Sequence, residues 1–413
     1  MSENGQRHSG TPGAEAPGGP AGISVLGAGI AGLATAVALA RRQLPCRVFE
    51  QAPELTAVGA GIQLSPNCVK LLHRWGLGDA LRETAVRAEA VEMRRWSDNS
   101  LLRRTPLGAE SEERFGAPYY TVHRADLHRA LLERVPADTV RLNARCTAVR
   151  QHTDGVDLSF ADGSRHTAGL LIGADGIKSV TRSVLVSDTP RFSGESIYRG
   201  LVPAGRVPFL TKEPKVVIWL GPGQHLVCYP VSGGELISFA ATAPAQDWRT
   251  ESWTARGSVP ELVAAYDGWH PEARELLAAA DQVGRWALHD RDPMDNWVSD
   301  RLAVVGDAAH PMLPFFAQGA NQAVEDAAAL AVCLGAARHG AGGGTAPARA
   351  LRRYLEVRRE RTAEVQRTSR GNSEMLHLPD GPEQLRRDQA LAGESDPRTQ
   401  EWLYGYDAEA AAA

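Results

Sequence analysis

The chain has 413 residues, 43% apolar and 23% charged, with Lys+Arg 45 against Asp+Glu 49 and a net charge of -4. That length suits two or three domains with a sizeable core, and the balanced charge gives nucleic acid or an anionic membrane no basic stripe to bind. The cysteines (Cys46, Cys68, Cys146, Cys228 and Cys333) are far apart, with no CxxC or His/Cys cluster; this argues against a disulfide framework or any metal site and for reduced thiols in a cytoplasm.

Residues 1–22 are rich in Gly, Pro, Ser and charge and lack an apolar h-region, so a flexible tail is expected rather than a secretory signal. The most apolar stretch, Val25 to Ala40, is too short and too punctuated by glycine to span a membrane. Ile23 to Leu26 reads as a strand, Leu33, Val37 and Ala40 mark a helix, and Pro45 ends it before a second strand from Cys46 to Glu50. Between them lies Gly27-Ala28-Gly29-Ile30-Ala31-Gly32, a GxGxxG match. Its first glycine permits a tight turn, its second lets a pyrophosphate approach the backbone, and its third allows close helix–strand packing. Glu50, at the end of the second strand with Gln51 beside it, can accept both hydroxyls of an adenosine ribose. This is the pattern of a dinucleotide-binding βαβ unit.

Glu89 to Pro118 shows little periodicity, and Arg124 opens a helix through Leu127, Leu131 and Leu132. Gly155 to Phe160 alternates like a strand, Asp162-Gly163 reads as a hairpin turn, and Gly169 to Ala174 is a buried strand ending at Asp175-Gly176. From Phe192 to Arg285 aromatic residues thicken (Trp219, Trp248, Trp253 and Trp269 among them), and β-rich runs occur at Lys215–Leu220, His225–Pro230 and Glu235–Ala241. This predicts an inserted antiparallel sheet. Leu302 to Val305 returns as a buried strand ending at Gly306-Asp307, and an Ala-rich helix begins near Ala320. Gly340 to Ala348 reads as a flexible loop, Leu351 to Arg370 as a helix whose charges form a solvated face, and the terminal Ala run as frayed.

Four stretches together resemble the FAD-dependent aromatic hydroxylases, single-component flavoprotein monooxygenases with the para-hydroxybenzoate hydroxylase fold. They are Gly27–Gly32 with Glu50, His123-Arg124, Gly173-Ala174-Asp175-Gly176, and Gly306-Asp307-Ala308-Ala309-His310-Pro311. His225 to Pro230 with Gly233-Gly234-Glu235 is most similar to the salicylate, 3-hydroxybenzoate and 6-hydroxynicotinate hydroxylase branch. The resemblance implies an α/β fold: a Rossmann-like FAD domain (23–88, 119–190 and 286–370), an inserted antiparallel substrate domain (89–118 and 191–285), and an extension over 371–413. It further implies an FAD-dependent monooxygenase that uses NADH or NADPH and O2 to hydroxylate an aromatic or heteroaromatic ring through a flavin C4a-hydroperoxide. An epoxidase or oxidase of a polycyclic or alicyclic metabolite, or a non-catalytic redox sensor, remains open on the same scaffold. A cytoplasmic monomer or homodimer is expected.

By the same resemblance Gly27, Gly29, Gly32, Glu50, Gln51, Gln63, Arg124, Asp175, Asp307, Pro311, Gly319 and Ala320 serve the cofactor. Asp307 would meet a ribityl hydroxyl, and Gly319-Ala320 would aim a helix N-terminus at the flavin. Alternation puts His225, Val227 and Tyr229 on one strand face, so His225 and Tyr229 are the candidate catalytic pair. Tyr229, Arg199, Pro314 and Phe315 are candidate substrate contacts, Arg199 either binding a substrate carboxylate or serving structure. His310 is read as structural. Phe315 and Gln63 stand where the hydroxynicotinate-type enzymes have histidines, which implies a bulkier or more apolar ring, or a different base.

Overall fold

The computed structural model describes residues 22–55, 59–245, 255–339, 346–393 and 397–413. Residues 1–21 of the expected tail, Trp248, Trp253 and residues 340–345 of the expected loop lie outside them.

Five parallel strands form the first sheet, in the order Leu302–Val304, Leu170–Gly173, Ile23–Leu26, Cys46–Phe49 and Val140–Arg141. Parallel strands are near-continuous apolar runs because both faces must be covered. The helix Ile30–Arg41 packs against the long helix Gly319–His339, and alanines on both let them approach closely. An antiparallel meander, Cys146–Gln151, Val156–Phe160 and Arg165–Ala168, packs through Phe160, whose ring centroid lies 5.0 Å from that of Phe49. Its turn falls at Asp162-Gly163, as the sequence predicts, with Gly163 at φ 83°.

The second sheet has eight strands, in the order Arg256–Gly257, Val283–Asp290, Arg191–Pro203, Leu236–Pro244, Gln224–Val231, Lys215–Gly221, Ala90–Arg95 and Leu101–Pro106. It is antiparallel except where Ala90–Arg95 runs parallel to Lys215–Gly221. A small third sheet pairs Gly61–Leu64 and Val86–Arg87 with Tyr120–His123.

Five expectations need correction. The segment 89–118, read as having little periodicity, holds two strands and the helix Ala109–Phe115. Its regularity is carried by charge instead of apolar alternation: buried Glu92 takes Arg94 at 2.7 Å, Arg104 at 2.5 Å and Lys215 at 3.1 Å. The division at 285/286 falls inside the strand Val283–Asp290, which pairs with Arg191–Pro203 and so carries 286–290 into the second sheet. Residues 346–348 belong to the helix Ala346–Leu376, whose charges are not all solvated, since Arg358 and Arg361 are buried. The terminal alanines form the helix Ala408–Ala412, capped by Asp407 on the amides of Glu409 and Ala410 and packed on the 319–339 helix. Among the described residues no helix is long and apolar enough to cross a membrane.

Candidate active site

A cavity of about 430 Å³ opens between the carboxyl ends of the parallel strands and one face of the eight-stranded sheet. Ligands of open α/β sheets bind at this edge.

The glycine loop builds its floor. Gly27 sits at φ 103°, and a Cβ there would meet the Ala174 carbonyl oxygen at 2.4 Å. A Cβ on Gly32 would stand 1.9 Å from the Gly27 carbonyl oxygen, so these two glycines close the turn on itself. Gly29 is different: no atom lies within 4 Å of its missing Cβ, and it lines the cavity. Gly319, at the start of the 319–339 helix, shares both properties. Glu50 follows the second strand, its carboxylate held by the amides of Ala28 at 2.7 Å and Ala52 at 2.9 Å. Two bare-backbone positions, a helix N-terminus and a fixed carboxylate are the features a dinucleotide requires, so this donor set fits FAD.

Arg124 and Asp307 both line the cavity; burial depresses the guanidinium, and the nearby Asp307 charge pulls it back up. Asp307 rides on the loop 306–310, which a buried network holds from behind. Asp326 accepts from the Gly306 amide at 2.9 Å, pairs with His310 Nε2 at 2.6 Å and takes Arg358 Nε at 2.8 Å. Glu325 takes Arg358 Nη1 at 2.5 Å and Arg361 Nε at 2.7 Å. Burial pushes the Glu325 carboxyl up, but Arg361 and Arg358 outweigh it and hold the group below the ordinary carboxylate range. Pro311 and Pro314 line the wall leading to Ala317, a left-handed residue at φ 51° whose carbonyl accepts from Asn321 Nδ2 at 2.8 Å.

The opposite wall is the sheet. His225, Val227 and Tyr229 face the cavity, while Leu226 and Cys228 join Trp219, Tyr266 and Trp269 in the core behind. Burial drives the His225 imidazole well below its ordinary value, and neighbouring His377 adds to this, so the ring is neutral at neutral pH. Burial also pushes the Tyr229 phenol up to about 12, against the charge of Arg199 and hydrogen bonding with Gln63 and Ser238, so Tyr229 keeps its proton. Gly61 makes this seam possible: a Cβ there would lie 2.4 Å from Tyr229 Cε2, and its amide donates to Ser238 Oγ at 2.8 Å. Arg199 lies in the same cavity, 5.6 Å from the centre of the Trp286 ring, with its Nε buried and without a hydrogen-bond partner. Among the described residues it has no carboxylate within ion-pair distance. Phe315 stands edge-on to His225 with centroids 5.3 Å apart, and Gln63 accepts from the Tyr119 hydroxyl at 2.7 Å.

Three expected cofactor side chains do not line the cavity: Glu50, held at the glycine loop as described, Asp175 and Gln51. The Asp175 carboxylate turns into its own loop, toward Ser179 Oγ at 2.5 Å and the Thr181 amide at 3.0 Å, and only its neighbours Ala174 and Gly176 line the cavity. Gln51 is exposed and does not line it. Ala320 does. His310 is buried against Asp326, consistent with its structural reading. Sequence reasoning missed Trp286 and Ser238. A lone serine on the alternate positions of an apolar strand was the available signal for Ser238.

Residues 21–369 match the family described as FAD binding domain. The chain is 48% identical over 386 residues, 94% of its length and 96% of the relative's, to a 3-amino-4-hydroxybenzoate 2-monooxygenase of Streptomyces platensis. It is 35% identical over 395 residues to the 6-hydroxynicotinate 3-monooxygenase of Bordetella bronchiseptica, covering 93% of this chain and 95% of that one. Among solved structures, a salicylate hydroxylase substrate complex superposes with a TM-score of 0.79 at 30% identity over 95% of this chain and 97% of that one. Klebsiella pneumoniae HpxO complexed with FAD and uric acid gives 0.80 at 29% identity over 93% and 96%. With its glycine loop, flavin-sized cleft and covering sheet, the chain belongs to the FAD-binding aromatic hydroxylases and is an FAD-dependent monooxygenase of aromatic rings.

Proposed function

We propose that the substrate is a carboxylated phenol of the aminohydroxybenzoate type, with His225 as the base toward its hydroxyl, Tyr229 as a hydrogen-bond donor to the resulting oxyanion, and Arg199 as the partner of its carboxylate. The observation that carries this reading is the joint placement, in one cavity, of a neutral imidazole, a protonated phenol and a guanidinium lacking an acidic partner. A phenol attacks an electrophile best as its phenolate, so a neutral imidazole beside it serves the reaction. An Arg fork suits a carboxylate. The relative acting on 3-amino-4-hydroxybenzoate supports the same substrate class.

FAD would be held here by the Gly29 and Gly319 backbone, Arg124 and Asp307, which line the cavity, and by Glu50, fixed on the Ala28 amide beside the glycine loop. When bound, it supplies electron transfer from NAD(P)H and the activation of oxygen. The chain's own task is to orient the ring and exclude water, for which Val227, Leu288, Leu313 and Phe315 give an apolar wall. Phe315 stands at the position the resemblance gives to a histidine; of the two histidines that line the cavity, His225 and His289, His225 is the buried one and shares its strand face with Tyr229. A cytoplasmic monomer or homodimer completes the reading.

The test is anaerobic reduction of the holoenzyme flavin by NADH and by NADPH, alone and with 3-amino-4-hydroxybenzoate, salicylate, 6-hydroxynicotinate and 2-aminophenol. Acceleration by the carboxylated aminophenol above the others is expected. Equal rates with 2-aminophenol would remove the carboxylate role.

A further inference from the structure

His225 is not alone on its far side. Its Nδ1 lies 2.7 Å from Nε2 of His377, the residue that follows the helix Ala346–Leu376, and His377 Nδ1 lies 3.1 Å from Glu195 Oε1. Ser373 Oγ donates to the same Glu195 oxygen at 2.8 Å. The Gly223 amide holds the His377 carbonyl at 2.9 Å. His377 and Glu195 do not line the cavity, and Glu195 keeps 18% of its side chain exposed.

We propose that Glu195 and His377 are positioning residues for His225, fixing its tautomer and relaying the substrate's phenolic proton from the cavity to the protein surface. The argument follows the donors and acceptors in order. A carboxylate accepts only, so His377 must donate from Nδ1 to Glu195. With that ring proton on Nδ1, His377 accepts at Nε2, and His225 donates to it from Nδ1. That leaves the lone pair of His225 on Nε2, the ring nitrogen not engaged by His377 or Thr242, on a residue that lines the cavity where a base is needed. The balance closes with one proton moved: the phenol O–H proton goes to His225 Nε2, the His225 Nδ1 proton to His377 Nε2, and the His377 Nδ1 proton to Glu195. Both rings end neutral in the opposite tautomer, the phenolate carries the negative charge, and the proton rests on Glu195, whose side chain is 18% exposed and whose Oε2 is buried without a hydrogen-bond partner of its own. Thr242 Oγ1, 3.3 Å from both His225 Nδ1 and His377 Nε2, steadies the junction, and Phe315 stands edge-on to both rings. The other titratable or charged groups that line the cavity are Tyr229, two residues along the strand, Arg199, Arg124, His289 and Asp307, and from behind the sheet the Tyr266 hydroxyl donates to the His225 carbonyl at 2.8 Å.

The inference rests on His225 being the substrate's base, and the experiment separates the two claims. Holoenzymes of wild type, His225→Gln, His377→Gln and Glu195→Gln are mixed anaerobically with 3-amino-4-hydroxybenzoate. Ultraviolet difference spectra then record the ionisation of the bound phenol from pH 5.5 to 9. Relay variants should move that ionisation upward by about one pH unit and slow hydroxylation by about tenfold or more. KM, FAD content and anaerobic flavin reduction should stay unchanged. Should His377→Gln lose FAD, Glu195→Gln, nearer the surface, decides by the same spectrum. If His225→Gln abolishes ionisation while Glu195→Gln and His377→Gln titrate like wild type, the relay is overturned and the base stands. If His225→Gln itself titrates like wild type, both fall.

Discussion

Arg358 Nε lies 2.8 Å from Asp326 Oδ1, and neither side chain is exposed to water. The pair sits behind the loop that carries Asp307, because the other oxygen of Asp326 holds the Gly306 amide. A charge pair here sets the position of Asp307 without touching the cavity.

Removing one partner of a buried ion pair strands the other charge at a cost of about 3–5 kcal/mol. Arg358→Met should therefore lower the thermal midpoint and loosen the loop that carries Asp307. Calorimetry of the apoprotein and a flavin titration check both; a variant with wild-type values in each would show that Glu325 and Asp326 find compensation from Arg361 and His310 alone.

Gly29 and Gly32 should separate binding from folding. Gly32→Ala places a methyl against the Gly27 carbonyl and should destabilise the chain by about 1–3 kcal/mol. Gly29→Val extends into the cavity, so apoprotein stability should hold while FAD affinity falls by about tenfold or more. Equal effects of both changes on apoprotein unfolding would contradict this division.

Arg199→Met should weaken a carboxylated phenol by the worth of a charge-assisted hydrogen bond, about 1.5–3 kcal/mol, or roughly 10–100-fold in KM. The same change should leave 2-aminophenol nearly unaffected. Steady-state kinetics with both substrates decide it.

Tyr229→Phe keeps the ring and removes only a donor. Hydroxylation should slow by about tenfold and hydrogen peroxide release should rise, with FAD content unchanged. Fully coupled turnover would assign Tyr229 to packing against Gly61.

The buried neutral His225 has a sign for stability. Its folded-state value is depressed below the ordinary value of about 6.5, so below that pH the unfolded chain binds the extra proton and stability falls on acidification. The slope contributed is at most about 1.4 kcal/mol per pH unit. Unfolding curves of wild type and His225→Gln between pH 7 and 5 should diverge, with the variant flatter.

The linear sequence was enough for features that short-range chemistry fixes. Ile23–Gly32 carries its own strand, turn and helix signals, because only glycine admits the φ of 103° at position 27 and the close approach at 32. Period-two alternation likewise put His225, Val227 and Tyr229 on one face. What depends on distant partners was decided by the tertiary structure. Arg358 and Arg361 read as surface charges on a polar helix until Glu325 and Asp326, more than thirty residues away, buried them. Glu195 and His377 stand 182 positions apart, and no spacing rule joins them. Hydrogen bonds and ion pairs form by proximity in space, so a side chain's type is written in the chain while its partner exists only after folding.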